Sequence, residues 1–446
     1  MLALIICALA FYLSYLWGRR SLAHGLTIVL ASGYFYGILR ANLGSPFGHF
    51  IFDAAVLGLY FSQSWGQSDS KRVNDVRIFT LLLMGWPLLE CLLPFQSPLI
   101  SIVGLRSNAF LLPILLLGTR LTSKDLLRLG YGLAVLNLVV SAFSIAEYFL
   151  GIGRFFPLTA YTSLLYESRI DVIGFLRIPG TFVSSHVYAG TMVSGIPFLF
   201  GAWLQSGQSS LRRLLLMAGV AAALLGVLMA STRVNFVAAV IVVGVGLFSG
   251  RLGSMKRIGW VLVILAIGYF AFTNQRFGRF KSLADSDMVS ERIGGSVNRT
   301  FFEILVDYPM GNGLGAGGTS IPYFLQNQVK YPVAMESEYA RILLEQGVIG
   351  LLLWISFIFW FLSRLFQLEK GEWLTARRMA YAATVCSLGI GLVGIGLLTS
   401  VPNSLLTMLS MGWVLVKQPP ELRHGFQVVR LADRDRIKSS GSFNRI

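Results

Sequence analysis

Residues 211–250 read LRRLLLMAGVAAALLGVLMASTRVNFVAAVIVVGVGLFSG. Two apolar runs, 211–230 and 234–250, are joined by so few residues that the chain must turn straight back. Each run is close to the roughly 20 helical residues needed to cross a hydrocarbon core about 30 Å thick. Paired helices satisfy their own backbone groups and present apolar side chains outward, which is what lipid demands of a spanning segment.

The pattern recurs on both sides of this hairpin. Apolar runs fall at about 2–17, 24–40, 47–64, 77–95, 108–119, 127–150, 185–205, 257–273, 339–363, 378–398 and 403–416. The fifth and the last are short, so the count could fall to twelve or eleven. The whole chain agrees: of 446 residues 55% are hydrophobic and 13% charged, with a mean hydropathy of +0.67, too apolar for a protein that covers itself with polar side chains. The expectation is an all-α fold, a polytopic integral membrane helical bundle of about 12–13 transmembrane helices with a large extracytoplasmic loop.

A formal net charge of +16 raises nucleic acid as a partner, but the basic residues are scattered between apolar runs rather than gathered on one soluble face, so no nucleic acid is expected. They alternate instead. One set of connections holds Arg19/Arg20, Lys71/Arg72/Arg77, Arg120/Lys124/Arg128, Arg212/Arg213, Arg251/Lys256/Arg257, Arg364/Lys370/Arg377/Arg378 and the tail. The opposite short connections hold only Arg40, Arg106 and Arg233. Because cytoplasmic loops carry the Lys and Arg excess, the N-terminus is expected outside and the tail inside. The first run, with its arginines after rather than before it, reads as a retained span rather than a cleaved signal. Cys7, Cys91 and Cys386 lie inside apolar runs without metal or disulfide spacing. No cofactor is expected.

The reading divides the chain into a membrane-embedded part, 1–416, and a basic cytoplasmic tail, 417–446, with the composition of a disordered segment that would contact anionic membrane lipids. Two long connections fall outside: 151–184 and 274–335. Asp285 and Asp287 form a DxD in the second, a weak signal for a metal, and none is assigned. YPMGNGLGAGG (308–318) reads as a tight turn, since it lacks the context of a phosphate loop.

The polar residues expected on the outer side are Arg106, Arg177, His186, Arg233, Glu336, Glu338 and Arg341. Arg177 precedes the Pro179–Gly180 turn, and Arg233 sits in the hairpin turn; both are held near the membrane surface. Guanidinium groups on one face suit a pyrophosphate, although snorkelling explains Arg233 equally well. His186, at a helix start, is either a base or, more often for such a residue, a hydrogen-bonding group. In AMESEYARILLEQGVIGLLLW Ser337 is a candidate N-cap. Glu338, Arg341 and Glu345 are spaced as an ion-pair ladder, leaving Glu336 as the better candidate to deprotonate a hydroxyl. Asp53, Glu90 and Glu147 are the main ionisable residues within spans, too few for a proton relay.

Four pieces in order, GLRSNAF near Arg106, RIPGTFVSSHVYAG, STRVNF, and YPMGNGLGAGG followed by ESEYARILLEQGVIGLL, resemble the O-antigen ligase and polymerase family. These are bacterial membrane glycosyltransferases that take saccharides from undecaprenyl pyrophosphate on the outer face of the inner membrane. The resemblance covers about half the chain and is strongest over 177–352. It implies a multi-pass protein of the bacterial inner membrane acting as an inverting, metal-independent glycosyltransferase. It assigns pyrophosphate binding to Arg177 and Arg233, with Arg106, and the catalytic position to Glu336. His186, Glu338 and Arg341 are accessory. Where the ligases carry His followed by Asn, this chain has Glu336 and Ser337, which favours the polymerase or exopolysaccharide branch. The implied partners are an undecaprenyl-pyrophosphate-linked glycan, membrane lipids, a flippase and a chain-length regulator. Two alternatives stay open: a ligase transferring the glycan to lipid A core, and a transporter or flippase on the same scaffold.

Overall fold

The computed structural model describes residues 1–66, 70–159, 162–167, 169–170, 175–249, 253–273, 294, 299–333, 335–368 and 371–416. The basic tail, Arg251, Lys370 and the Asp285–Asp287 pair lie outside the described residues.

Every apolar run contains helix, but those at 47–64, 77–95, 108–119 and 378–398 are only partly α-helical. Leu2–Arg20 (α1) ends at Ser21, whose extended backbone (φ −166°, ψ 140°) turns the chain into Leu22–Tyr34 (α2). Arg19 and Arg20 occupy the last turn of α1, where the helix dipole favours cations. The run predicted at 24–40 is bent: α2 meets Tyr36–Leu43 (α3) at 48°. After a 3-10 turn at Pro46–Phe50 come Ile51–Ser62 (α4) and Lys71–Glu90 (α5).

Pro98–Ala109 (α6) and Ile114–Gly118 (α7) together form one membrane-length segment. The run expected at 108–119 is therefore the second half of a longer one, and Arg106 stands in a helix rather than a loop. Ser123–Leu150 (α8) starts at a reciprocal capping box between Thr122 and Asp125. Ser163–Glu167 (α9) and the two-residue antiparallel strands Arg169–Ile170 (β1) and Phe175–Leu176 (β2) follow. The remaining α-helices are Ser185–Trp203 (α10), Ser210–Met229 (α11), Arg233–Phe248 (α12), Ser254–Thr273 (α13), Arg299–Asp307 (α14), Glu338–Leu362 (α15), Leu374–Ile390 (α16) and Asn403–Leu415 (α17).

Among the described residues five segments are long and apolar enough to cross a membrane, or six if the bent α2–α3 pair is one span. They are 2–20, 98–118, 123–150, 210–229 and 338–362. The axis of the bundle is α10, buried at every position except His186 and packed against α8, α11, α12, α16 and α17. Small residues permit this. A Cβ on Gly201 would stand 2.4 Å from that of Ala376, and one on Gly412 only 1.9 Å from the Leu115 carbonyl oxygen. Without a hydrophobic driving force between helices in lipid, close backbone approach of this kind is what holds them.

Helix directions bring one end of the bundle together. Tyr188, one turn into α10, lies against Gly226 near the end of α11, so these helices are antiparallel. The turn at Ala230–Thr232 then returns the chain in α12. At the opposite end Gly246 abuts Phe200 and Met379, so α16 runs from there and finishes beside the start of α10. Its exit, Gly391 and Gly394, accepts the Glu338 amide at 2.9 and 3.2 Å, which puts the start of α15 at the same end.

Candidate functional site at one end of the bundle

That end encloses a cavity of about 630 Å³, within the usual range for ligand pockets. Its walls come from α3, the 3-10 turn with α4, the end of α6, the start of α10, the segment 319–326 and the segment 395–401. The part of the predicted loop that is described, 299–333, thus contributes a wall.

Arg106, in the last turn of α6, lines the cavity and meets Asp53 of α4 as a two-point pair, Nε to Oδ2 at 2.5 Å and Nη2 to Oδ1 at 2.9 Å. Its fork is already matched to a carboxylate. Arg40 lines the same space, hydrogen-bonded to the hydroxyl of Tyr36, which in turn donates to the His49 carbonyl at 3.1 Å.

Arg177 is buried (8% exposed) just before the Pro179–Gly180 turn. Its Nη1 lies 2.9 Å from His186 Nε2. A guanidinium only donates, so Nε2 accepts, and His186 is neutral with its proton on Nδ1. The basic nitrogen of His186 is thereby occupied in orienting Arg177, while Arg177 Nε has no hydrogen-bond partner among the described residues. The turn itself is locked from both sides. Glu147 of α8 accepts the Gly180 amide at 3.0 Å, and Thr181 offers its carbonyl to the Ile38 amide at 3.0 Å across the α2–α3 bend.

Arg233 is the first residue of α12 and half-buried; Glu336 is exposed, two residues before α15. Arg177, Arg233 and Glu336 share the cavity's end of the bundle without lining the cavity, so the structure brings the expected residues to one end and sets only Arg106 in the cavity wall. Ser337 is the N-cap of α15, accepting from the Ala340 amide at 3.5 Å and donating to Gly391 O at 3.2 Å.

Glu338, Arg341 and Glu345 form the expected pairs, but in the interior: all three side chains are 0% exposed. Arg341 donates from Nη2 to Glu338 at 2.7 Å and from Nη1 to Glu345 at 2.6 Å and to Asn108 Oδ1 at 3.1 Å. Asn108 donates to Glu345 at 2.7 Å and accepts from Gln346 at 2.8 Å. Glu338 Oε2 accepts the Gly396 amide at 2.7 Å, tethering the 391–402 segment that walls the cavity.

The sequence reading did not find a break in α15. Gly347 has φ 63°, ψ −172°, so the Leu344 carbonyl and Val348 amide cannot bond each other. The glycine turn takes both: the Asn312 amide donates to Leu344 O at 2.6 Å, and the Val348 amide donates to Pro309 O at 2.9 Å. Gly311, Gly313, Gly315 and Gly318 all have positive φ, as a tight turn requires.

Among the described residues no three His, Cys, Asp or Glu side chains come together as a metal site. Asp53 lines the cavity, whereas Glu90 and Glu147 do not. No protein-family model matches the chain, and no curated protein matches it.

Proposed function

We propose that the protein polymerises undecaprenyl-pyrophosphate-linked repeat units on the outer face of the bacterial cytoplasmic membrane, as a polymerase resembling the O-antigen ligase and polymerase family. The observation that carries this reading is the convergence of Arg106, Arg177, Arg233 and Glu336 on the one end of a membrane-length helical bundle that holds a large polar cavity.

Arg177 and Arg233 bind the pyrophosphate and stabilise the charge it gains as the anomeric C–O bond breaks. Arg106 is fixed by Asp53 and shapes the wall beside them. Glu336 accepts the proton of the acceptor hydroxyl as its oxygen forms the new bond to the anomeric carbon. His186 and Glu147 orient Arg177, and the Glu338–Arg341–Glu345 cluster positions Glu336 and the cavity wall. In this reading the bundle has 12–13 spans, the N-terminus and the 274–335 loop face outward, and the basic tail is cytoplasmic.

The test is electrophoresis of surface and carrier-linked polysaccharide from a deletion strain complemented with wild type, Arg233→Ala or Glu336→Gln at matched membrane expression. The expected result is single repeat units in the deletion strain and no ladder from either variant. Long chains accumulating on the carrier indicate a ligase, and normal ladders from both variants overturn the residue assignment.

A further inference from the structure

The end of the bundle opposite the cavity carries a second group of arginines, built around one hydroxyl. Helix α8 starts at that end, because Gly130 stands against Ala202 near the end of α10. The joint between α1 and α2 lies beside it. The Ser21 hydroxyl donates to Asp125 Oδ1 at 3.0 Å and accepts from Arg128 Nη1 at 3.3 Å. Arg20 immediately precedes Ser21, so Arg20 and Arg128, both exposed, flank that hydroxyl from two different helices. The guanidinium of Arg20 lies 4.5 Å over the Trp17 ring, a contact that orients the group while leaving its charge in place. Asp125, the carboxylate built into this joint, directs its oxygens to Ser21 and to Thr122.

Beneath the two arginines the short helix α2 separates α1 from α8. Trp17 of α1 meets the His24 ring of α2 at 5.6 Å, and a Cβ on Gly132 of α8 would stand 2.8 Å from the Thr27 methyl group of α2. Towards the middle of the bundle the exposed residues of the flanking helices include apolar ones, Leu9 and Leu16 on α1 and Val135 and Val139 on α8. Cations at a helix end with exposed apolar residues along the same helices match a ligand that is anionic at one end and hydrocarbon at the other. One turn along α8, Tyr131 lies under the Arg212 guanidinium of α11 at 5.9 Å, which brings a third exposed cation to the same side.

We propose that the joint of α1 and α2 with the start of α8 is a binding site for an anionic phospholipid, whose phosphate is held between Arg20 and Arg128 beside Ser21. The site is independent of the glycan reading and lies at the other end of the bundle from its residues. Snorkelling alone would leave each arginine to find headgroups separately. Here a hydrogen bond between helices sets Arg128 beside the residue that follows Arg20, and a guanidinium fork accommodates two phosphate oxygens at once.

The test is lipid titration of the delipidated full-length protein in detergent, followed by native mass spectrometry, with phosphatidylglycerol and phosphatidylcholine of the same acyl chains. Both carry a phosphate, but the choline ammonium meets the same arginines and is repelled. Wild type is expected to bind phosphatidylglycerol at least about tenfold more tightly, the worth of one charge-assisted hydrogen bond. The double variant Arg20→Gln, Arg128→Gln should lose that preference. The control Arg72→Gln, Arg378→Gln, which removes the same charge from α5 and α16, should keep it. Equal binding of the two lipids by wild type, a result needing no variant, overturns the proposal. So does a preference that survives the double variant in protein with an unchanged elution profile, or one that the control loses to the same extent, since the effect is then net charge rather than a site.

Discussion

Replacing Arg341 by Met would remove the cation from a cluster whose three side chains have no exposed surface. The guanidinium makes contacts at 2.6, 2.7, 3.1 and 3.2 Å to Glu345, Glu338 and Asn108. Its loss leaves two buried carboxylates to the neutral donors around them, the Gly396 amide on Glu338 and the Asn108 side chain on Glu345 among them. Breaking a buried pair from one side costs about 3–5 kcal/mol, since the remaining charge is stranded. Two pairs share Arg341, but their losses do not add, because protonating one carboxylate relieves the other. The expected cost is thus about 3–5 kcal/mol in total, read from SDS-induced unfolding followed by the fluorescence of the nine tryptophans. The triple variant Arg341→Met, Glu338→Gln, Glu345→Gln should recover much of it, as no charge is then left unpaired. A loss under about 1 kcal/mol for Arg341→Met, the size of an exposed pair, or a triple variant worse than the single, would refute the buried-cluster reasoning.

Two further substitutions probe the backbone that frames the cavity. Gly347→Ala places a Cβ at φ 63°, ψ −172° and 2.6 Å from the Met310 carbonyl carbon. It should cost at least about 1–3 kcal/mol and make the 309–318 turn susceptible to limited proteolysis; an unchanged digestion pattern would argue against the docking. Gly37→Ala sets a Cβ 2.0 Å from the Phe182 carbonyl carbon, where only backbone can yield. It should destabilise by about 1–3 kcal/mol and shorten or abolish the polysaccharide ladder through Arg177, whereas Gly85→Ala, with open space around it, should do neither.

The helices were legible because lipid imposes a local requirement, a run of apolar residues of sufficient length, and such a run can be read without knowing its neighbours. The Ser337 cap and the Glu338–Arg341–Glu345 spacing were legible for the same reason: cap and pair lie within one helical turn or two. What the sequence hid was non-local. GLRSN looked like a loop because Arg106 and Asn108 interrupt the hydropathy, yet both are helical. Their polar groups are answered by Asp53 and by the Glu345–Arg341–Gln346 group, far away along the chain. Burial of the ladder depends on the same distant partners.

The break at Gly347 ties these findings together. An unbroken α15 would place Glu338, Arg341 and Glu345 on a continuous span whose polar first half faces lipid somewhere along its circumference. Irregular backbone near membrane depth survives only where protein covers it or a cavity hydrates it. Here Pro309 and Asn312 supply the missing backbone partners, Trp86 donates to the Gln346 carbonyl at 2.9 Å, and Asn108 caps the side chains. The first nine residues of α15 therefore belong to a polar layer at the cavity end, and the apolar stretch beyond Gly347 is the part suited to lipid. A helix long enough to span can thus spend its first turns as part of a site wall. Hydropathy, which averages over the whole helix, has no means of registering that division.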